Sequence, residues 1–225
     1  MEGRYPAGIV LAITNCNDPS KEDEFNYWYN HIHGPDVTGF GVFRHFTRFI
    51  NANPKPGEGK YLAICEISQD DVAGVWATAL PEMRARLQEQ RRYSPLLQAV
   101  TPGVAFKRLG GEFAAAGKPT RGILAVLTNC KDPAREEEFN RWYNDVHIPD
   151  ILDTGAYHTA YRYESLAPQV TKGKYLALYE THYDNPTNAR DELVKVRADW
   201  ERRERLFDAI EVVVATAARR IWPMD

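Results

Sequence analysis

The chain lacks the marks of several protein classes. It has no run of about 18 apolar residues, so no membrane-spanning helix is expected. Cysteine is scarce. Cys16, Cys65 and Cys130 are odd in number and show no paired spacing, which argues against a disulfide framework or a zinc finger and suits free thiols in a reducing cytoplasm. Neither charge sign is in excess: 28 Lys and Arg stand against 31 Asp and Glu, for a net charge of -3. No basic face is therefore expected, and nucleic acid is not an expected partner. No glycine-rich loop opens a helix, so a nucleotide cofactor is not expected, and no G-x-S-x-G nucleophile signature occurs. The opening "MEGRYPAGIVLAITN" has no basic start followed by an apolar segment and cleavage site, so no signal peptide is expected and a cytoplasmic location is.

What the chain does have is a repeat. A shift of 114 residues aligns Thr14-Asn15-Cys16 with Thr128-Asn129-Cys130, and "GKYLAICE" (from Gly59) with "GKYLALYE" (from Gly173). Between residues 14 and 38, 15 of 25 positions match their partners, which identifies an internal duplication. Two copies are too few for an open solenoid and suit a closed pair.

Each copy shows the same order of elements. Gly8 to Asn15 is a short β-branched run, hence a strand. Asp18 then Pro19 reads as an N-cap followed by proline at the first helical position. Phe25, Trp28, Tyr29 and Ile32 form an apolar helical stripe, and Pro35 is expected to stop that helix just after His33. Strands are expected at Gly41 to Ile50 and Lys60 to Ser68. A helix broken by Pro81 is expected from Asp71 to Tyr93, then a strand at Val100 to Leu109 whose Pro102 marks an edge or bulge. The second copy repeats this with a helix from Pro133 to His147, strands at Gly155 to Glu164 and Lys174 to His182, a helix from Pro186 to Leu206 and a strand at Glu211 to Ile221. The expected organisation is a ferredoxin-like repeat over 1–109, a linker over 110–120 and a second repeat over 121–225. Each four-stranded sheet would carry helices on one face only. Closing the bare faces on each other predicts a single α+β antiparallel barrel with helices outside.

With this layout, and with "FNYWYNHIHGPD" and "FNRWYNDVHIPD" at the end of each first helix, the chain resembles the dimeric α/β barrel superfamily. It is most similar to the EthD-like branch, here as a tandem-duplicated single chain. The resemblance implies a pocket in each unit between sheet and helices, lined by the first helix and second strand. Relatives include monooxygenases, muconolactone isomerases, polyketide cyclases, decarboxylase-like proteins and haem enzymes such as chlorite dismutase, so fold does not select the reaction.

The candidate site residues follow from the repeated motif. Asn26, Asn30 and His33 fall on one helix stripe, with Tyr29 one turn before His33; Asn140, Tyr143, Asn144 and His147 reproduce them. A His at a helix C-terminus is expected to favour its protonated form, and Asp36 or Asp150 could fix its tautomer, as a general base requires. His33, His147, Asp36 and Asp150 are thus the catalytic candidates. Arg48 and Arg162 could bind a carboxylate in bidentate fashion, or pair structurally with Glu66 and Glu180. Trp28, Tyr161 and His45 complete the substrate-binding candidates. Alternation places Arg44, Phe46 and Arg48 on one face and Phe43, His45 and Thr47 on the other. His31, His33 and Asp36 resemble a metal cluster, but i and i+2 on a helix point apart, and no metal is expected. The H-x-P-D run also reads as a helix-closing element with no role in chemistry.

The expected function is a small-molecule enzyme without cofactor, acting on an aromatic or polyketide-like acid by His-mediated proton transfer. On family analogy it is a decarboxylase-type lyase or an isomerase or cyclase. The alternatives are a cofactor-free monooxygenase, a non-catalytic ligand carrier, or an inert barrel. No membrane partner is expected, and a homodimer is compatible with the fold. The copies differ at His31/Asp145, Gly34/Ile148, Arg44/His158 and Thr47/Tyr161, and the richer titratable set favours the first copy.

Overall fold

The computed structural model describes residues 1–114 and 118–224. Nine strands are described: β1 (Gly8–Cys16), β2 (Phe43–Asn51), β3 (Tyr61–Ile67), β4 (Leu97–Arg108), β5 (Phe113–Ala114), β6 (Gly122–Cys130), β7 (Thr159–Ser165), β8 (Tyr175–Thr181) and β9 (Ile210–Trp222). Their order is β4-β1-β3-β2-β9-β6-β8-β7, and β7 returns to β4. Eight antiparallel strands therefore close into a barrel. The expected α+β barrel is present, and its two sheets join edge to edge through β2–β9 and β4–β7. The linker is partly structured, because its two-residue β5 pairs with β7. Residues 115–117 of that expected linker lie outside the described residues.

Both faces of each sheet are covered. Ile9, Leu11, Phe49, Leu62, Ile64 and Phe106 point into the barrel with Ile123, Ala125, Leu127, Leu176 and Leu178 of the second repeat. Alternate residues meet the helices outside. The chain start also enters the barrel: the Met1 amino group and Arg4 both bond Glu66, and the Glu2 amide donates to Glu180 at 2.8 Å. Glu66 and Glu180 thus face the interior and do not pair with Arg48 and Arg162.

The helices lie outside: α1 (Glu22–Trp28), α2 (Gly34–Gly39), α3 (Val72–Gly74), α4 (Leu80–Glu89), α5 (Glu136–Trp142), α6 (Ile148–Asp153), α7 (Pro168–Thr171) and α8 (Pro186–Arg202). Asp18 caps its helix by accepting from the Ser20 amide, and Asp132 does the same for Ala134. Acidic residues fill the first turns of α1 and α5, complementing the helix dipole.

The prolines do not stop the helices. Single π-helical turns, Tyr29–His33, Val75–Ala79 and Tyr143–His147, join α1 to α2, α3 to α4 and α5 to α6. Each is followed by a residue and then a proline: Gly34-Pro35, Leu80-Pro81 and Ile148-Pro149. In each case the residue before proline donates five residues back, as Gly34 does to Tyr29. The widened turn draws the preceding carbonyls away from the proline ring, so the helix passes through a residue that has no N–H to give.

The seams are shorter than the ladders inside each repeat. β4 meets β7 over Phe106 to Arg108, whereas β6 meets β8 over Gly122 to Thr128. Seam amides such as Leu109, which donates to Arg162, are expected to exchange hydrogen faster than those at the centres of β3 and β8. Native-state exchange read by NMR checks this.

Candidate functional site

The π turns split the motif's polar residues into two sets. Asn26 and Asn30 face Arg48, which is fully buried: its guanidinium donates to the Asn30 side chain at 2.6 Å and to Asn26 at 2.9 Å. It lies 4.1 Å from the Tyr29 ring centroid. Arg162 repeats this with Asn144 (3.1 Å), Asn140 (2.9 Å) and Tyr143 (4.2 Å). Neither cation has a carboxylate partner among the described residues. Neutral amides and an aromatic face hold each one, and burial lowers the pKa of both.

Tyr29 touches both sets, since its ring also meets that of His33 with centroids 5.1 Å apart. The His33 ring stacks on Trp28 at 4.9 Å, and the Trp28 indole N–H donates to the Arg92 carbonyl at 3.0 Å. Asp36 takes the Arg92 guanidinium in two bonds of 2.8 Å. The second copy builds the same clasp from His147, Trp142, Asp150 and Arg205. Asp36 and Asp150 are therefore committed to arginines and do not hold the histidine tautomers. Their clasp ties the end of each first helix to the segment after the second.

Nor are the histidines protonated helix ends. The helix runs on through α2 or α6, and burial lowers both His33 and His147 to about 4, only partly offset by Asp36 and Asp150. Both rings are neutral at pH 7. The His33 Nδ1 is sealed from solvent without a hydrogen-bond partner.

A cavity of about 230 Å³ lies beneath this helix in repeat 1. Tyr29, His33, Val37, Phe43, Phe46 and Cys65 form one side, and Leu80, Met83, Arg84, Tyr93 and the Thr101–Gly103 stretch form the other. Phe43 and Phe46 both face it because the strand bulges between Arg44 and Phe46, where His45 has a φ of 32°. The bulge breaks the expected alternation and leaves His45 exposed, away from the cavity. Tyr161 is also displaced from the expected site. It points into the barrel, donates to Glu180 at 2.9 Å and accepts from the Gly3 amide. Burial pushes the Cys65 thiol up to about 12, so this residue acts as a small apolar wall and not as a nucleophile.

Repeat 2 closes the equivalent space. Cys65 pairs across the strands with Phe46, and Tyr179 with Ala160, so bulk has moved from one strand to the other. The Tyr179 hydroxyl lies 3.3 Å from that of Tyr143. Gly34 belongs to the same exchange, since a Cβ there would meet the Phe46 ring at 2.7 Å, whereas Ile148 faces Ala160. Repeat 1 is also longer. Lys107 and Arg219 sit opposite the equivalent Gly8 and Gly122, so the offset of 114 at those glycines has fallen to 112 at the last strand. One extra residue lies in the helix containing Val75–Ala79, whose caps are 114 apart at Asp71/Asn185 and 113 apart at Gln90/Arg203. The other lies in the second bulge of β4, near Pro102 and Gly103. Both insertions border the cavity.

The residues present do not fit a haem. An axial histidine must project into a slot wide enough for the macrocycle, but the His33 ring lies flat on Trp28. The cavity also falls below the range of about 300–1,000 Å³ typical of drug-sized ligands. Among the described residues, no group of three or more His, Cys, Asp or Glu could hold a metal ion, and no helix is long and apolar enough to cross a membrane.

Arg84, Tyr93, Cys65 and Gly103 were not among the sequence candidates. For Cys65 the signal that could have found it is divergence between the copies, where Tyr179 stands in its place; Arg84 has no such signal, since Arg197 stands at the equivalent position.

Two outcomes follow. Between pH 4 and 6.5 the unfolded chain binds more protons at His33 and His147 than the folded one. Their contribution to stability is complete above about pH 6.5 and is lost as pH falls toward 4. Thermal midpoints should fall over that window, and the slope should flatten in a His33→Gln, His147→Gln double variant. Separately, Tyr179→Cys should open a second cavity at a cost on the order of 3 kcal/mol, while Cys65→Tyr should fill the first. Denaturation curves and uptake of an apolar probe distinguish these.

No family model matches the chain. No curated protein matches it in sequence. Solved structures do match. A dye-decolorizing peroxidase from Bacteroides thetaiotaomicron has a TM-score of 0.59 at 12% identity, covering 97% of this chain and 94% of that one. A chlorite dismutase from Candidatus Nitrospira defluvii has a TM-score of 0.59 at 9% identity, with 96% and 92% covered. An anthrone oxidase-like protein has a TM-score of 0.53 at 11% identity, with 98% and 94% covered. At these identities the likeness is one of fold: the chain is built as the α+β barrel these proteins share.

Proposed function

We propose that the chain is a cofactor-independent small-molecule enzyme whose working site is the cavity of repeat 1. Its substrate would be an aromatic or polyketide-like acid, and its reaction a proton transfer through His33, of the lyase or the isomerase and cyclase type. The observation that carries this reading is the cavity itself: apolar walls with a neutral imidazole and a phenol side by side, in only the repeat where Cys65 replaces tyrosine. A neutral imidazole can accept a proton from a carbon next to a carbonyl. The electron pair left behind moves to the carbonyl oxygen, where the Tyr29 hydroxyl can meet it. The imidazolium then returns the proton at a second carbon, which completes an isomerisation; in a decarboxylation the imidazole instead takes the carboxylic acid proton as carbon dioxide departs and returns it to the carbanion. An anionic ligand beside His33 would lift its pKa back from about 4 toward its ordinary range, which brings the base into strength only when the site is filled.

The EthD-like resemblance and the barrel neighbours support an enzyme by analogy of fold, and the anthrone oxidase-like neighbour keeps cofactor-free oxygenation of an electron-rich phenol as the alternative. A second reading, ligand binding without turnover, is favoured by the His147 clasp. That clasp stands intact over a closed repeat, so folding alone can retain this histidine.

His33→Gln separates them. Incubated with a panel of aromatic acids and followed by mass spectrometry, it should lose turnover by roughly 100-fold or more while still binding the compound the wild type consumes. His147→Gln should keep both. If the wild type binds but consumes nothing, the carrier reading replaces the enzyme.

A further inference from the structure

Arg84 stands apart from the other charged residues near the cavity. Among the described residues it is the only permanently charged side chain on the wall. It is half-buried, and among the described residues it has no carboxylate partner; its recorded bond is a donation to the Gly103 carbonyl. A guanidinium carries five N–H donors, so most of its capacity is unused. Burial disfavours its charge and Tyr93 offsets this only in part, which lowers its pKa. A cation held in this way costs stability unless an anion completes it.

The local geometry is specific to repeat 1. Arg84 follows the π turn that is one residue longer than its counterpart, and it reaches over the extra bulge of β4. A Cβ at Gly103 would stand 3.3 Å from the Arg84 guanidinium and 3.1 Å from Val10, so glycine leaves room for the guanidinium. With the helix offset at 113, the equivalent residue is Arg197, which is exposed beside a last strand that has the bulge at Leu127/Thr128 but lacks the second one. Arg48 behaves oppositely. Its counterpart Arg162 keeps the same amide and ring contacts where no cavity exists, which marks both as framework. Of Arg48 and Arg84, only Arg84 differs from its counterpart in its surroundings.

We propose that Arg84 is the anion anchor of the site. It would take the carboxylate of a small monoanion whose apolar body lies against Phe43, Phe46, Leu80 and Met83. The anchor rests on the cavity being a ligand site, as proposed above, and not on turnover there.

The test compares 2-naphthoate with 2-naphthamide, which share a ring and differ in charge, by isothermal titration calorimetry. Wild type should bind the acid roughly tenfold or more tighter than the amide. Arg84→Gln and Arg84→Met should lose that preference while still binding the amide, and Arg84→Lys should keep part of it. Cys65→Tyr should bind neither. Equal binding of acid and amide by wild type, or a preference that survives in Arg84→Gln, overturns the anchor and leaves the cavity reading standing. Failure of wild type to bind either compound overturns both.

Discussion

A four-stranded sheet with helices on one side has a bare apolar face and two open edges. Neither repeat can bury that face alone, because the side chains on it, among them Ile9, Leu62, Phe106, Leu176 and Leu178, fill one interior shared by both. Everything else is arranged around this closure. The helices are confined to the outside, any ligand space must lie between sheet and helix, and the two halves become equivalent in position but free to differ in content. That freedom is visible in the exchange of bulk between Phe46/Cys65 and Ala160/Tyr179.

The helices show a second constraint with a simple origin. A proline inside a helix removes a donor and crowds the carbonyl four residues back. At Pro35, Pro81 and Pro149 the chain responds with one wide turn and continues. The same turn rotates the residues after it relative to those before. This rotation takes His33 out of the stripe that a regular helix would give Asn26, Asn30 and His33: the two amides serve Arg48, His33 serves the cavity, and Tyr29 touches both.

Much of the fold was legible in the sequence. The duplication, the strand order and the barrel follow from apolar periodicity and the N-caps at Asp18 and Asp132. Register was less legible, because a bulge is one residue long and leaves no mark in an alternating pattern; Phe43 and His45 were misplaced for that reason. Tyr161 lies on an unbroken strand, and alternation alone does not say which of its faces turns into the barrel. Around the candidate site, the neighbouring placement of Tyr29 and His33 one turn apart was legible, but their surroundings were not. Asp36 was read as the histidine's partner because it is three residues away, yet Arg92, 56 residues on, takes both of its oxygens. Long-range pairing of this kind is set by packing, which local spacing does not encode. Arg84 was not legible because its counterpart Arg197 is also an arginine, and only packing makes one half-buried and the other exposed.

The unequal filling of the two halves has a mechanical consequence. Unfolding under hydrostatic pressure is driven by the elimination of internal void volume. A cavity beneath one helix pair, facing its filled twin across a common barrel, makes repeat 1 the compressible half of the molecule. Compression would be taken up first beneath the helix that carries His33, while the tyrosine-packed half keeps its dimensions and acts as the stiff support on which the softer one works.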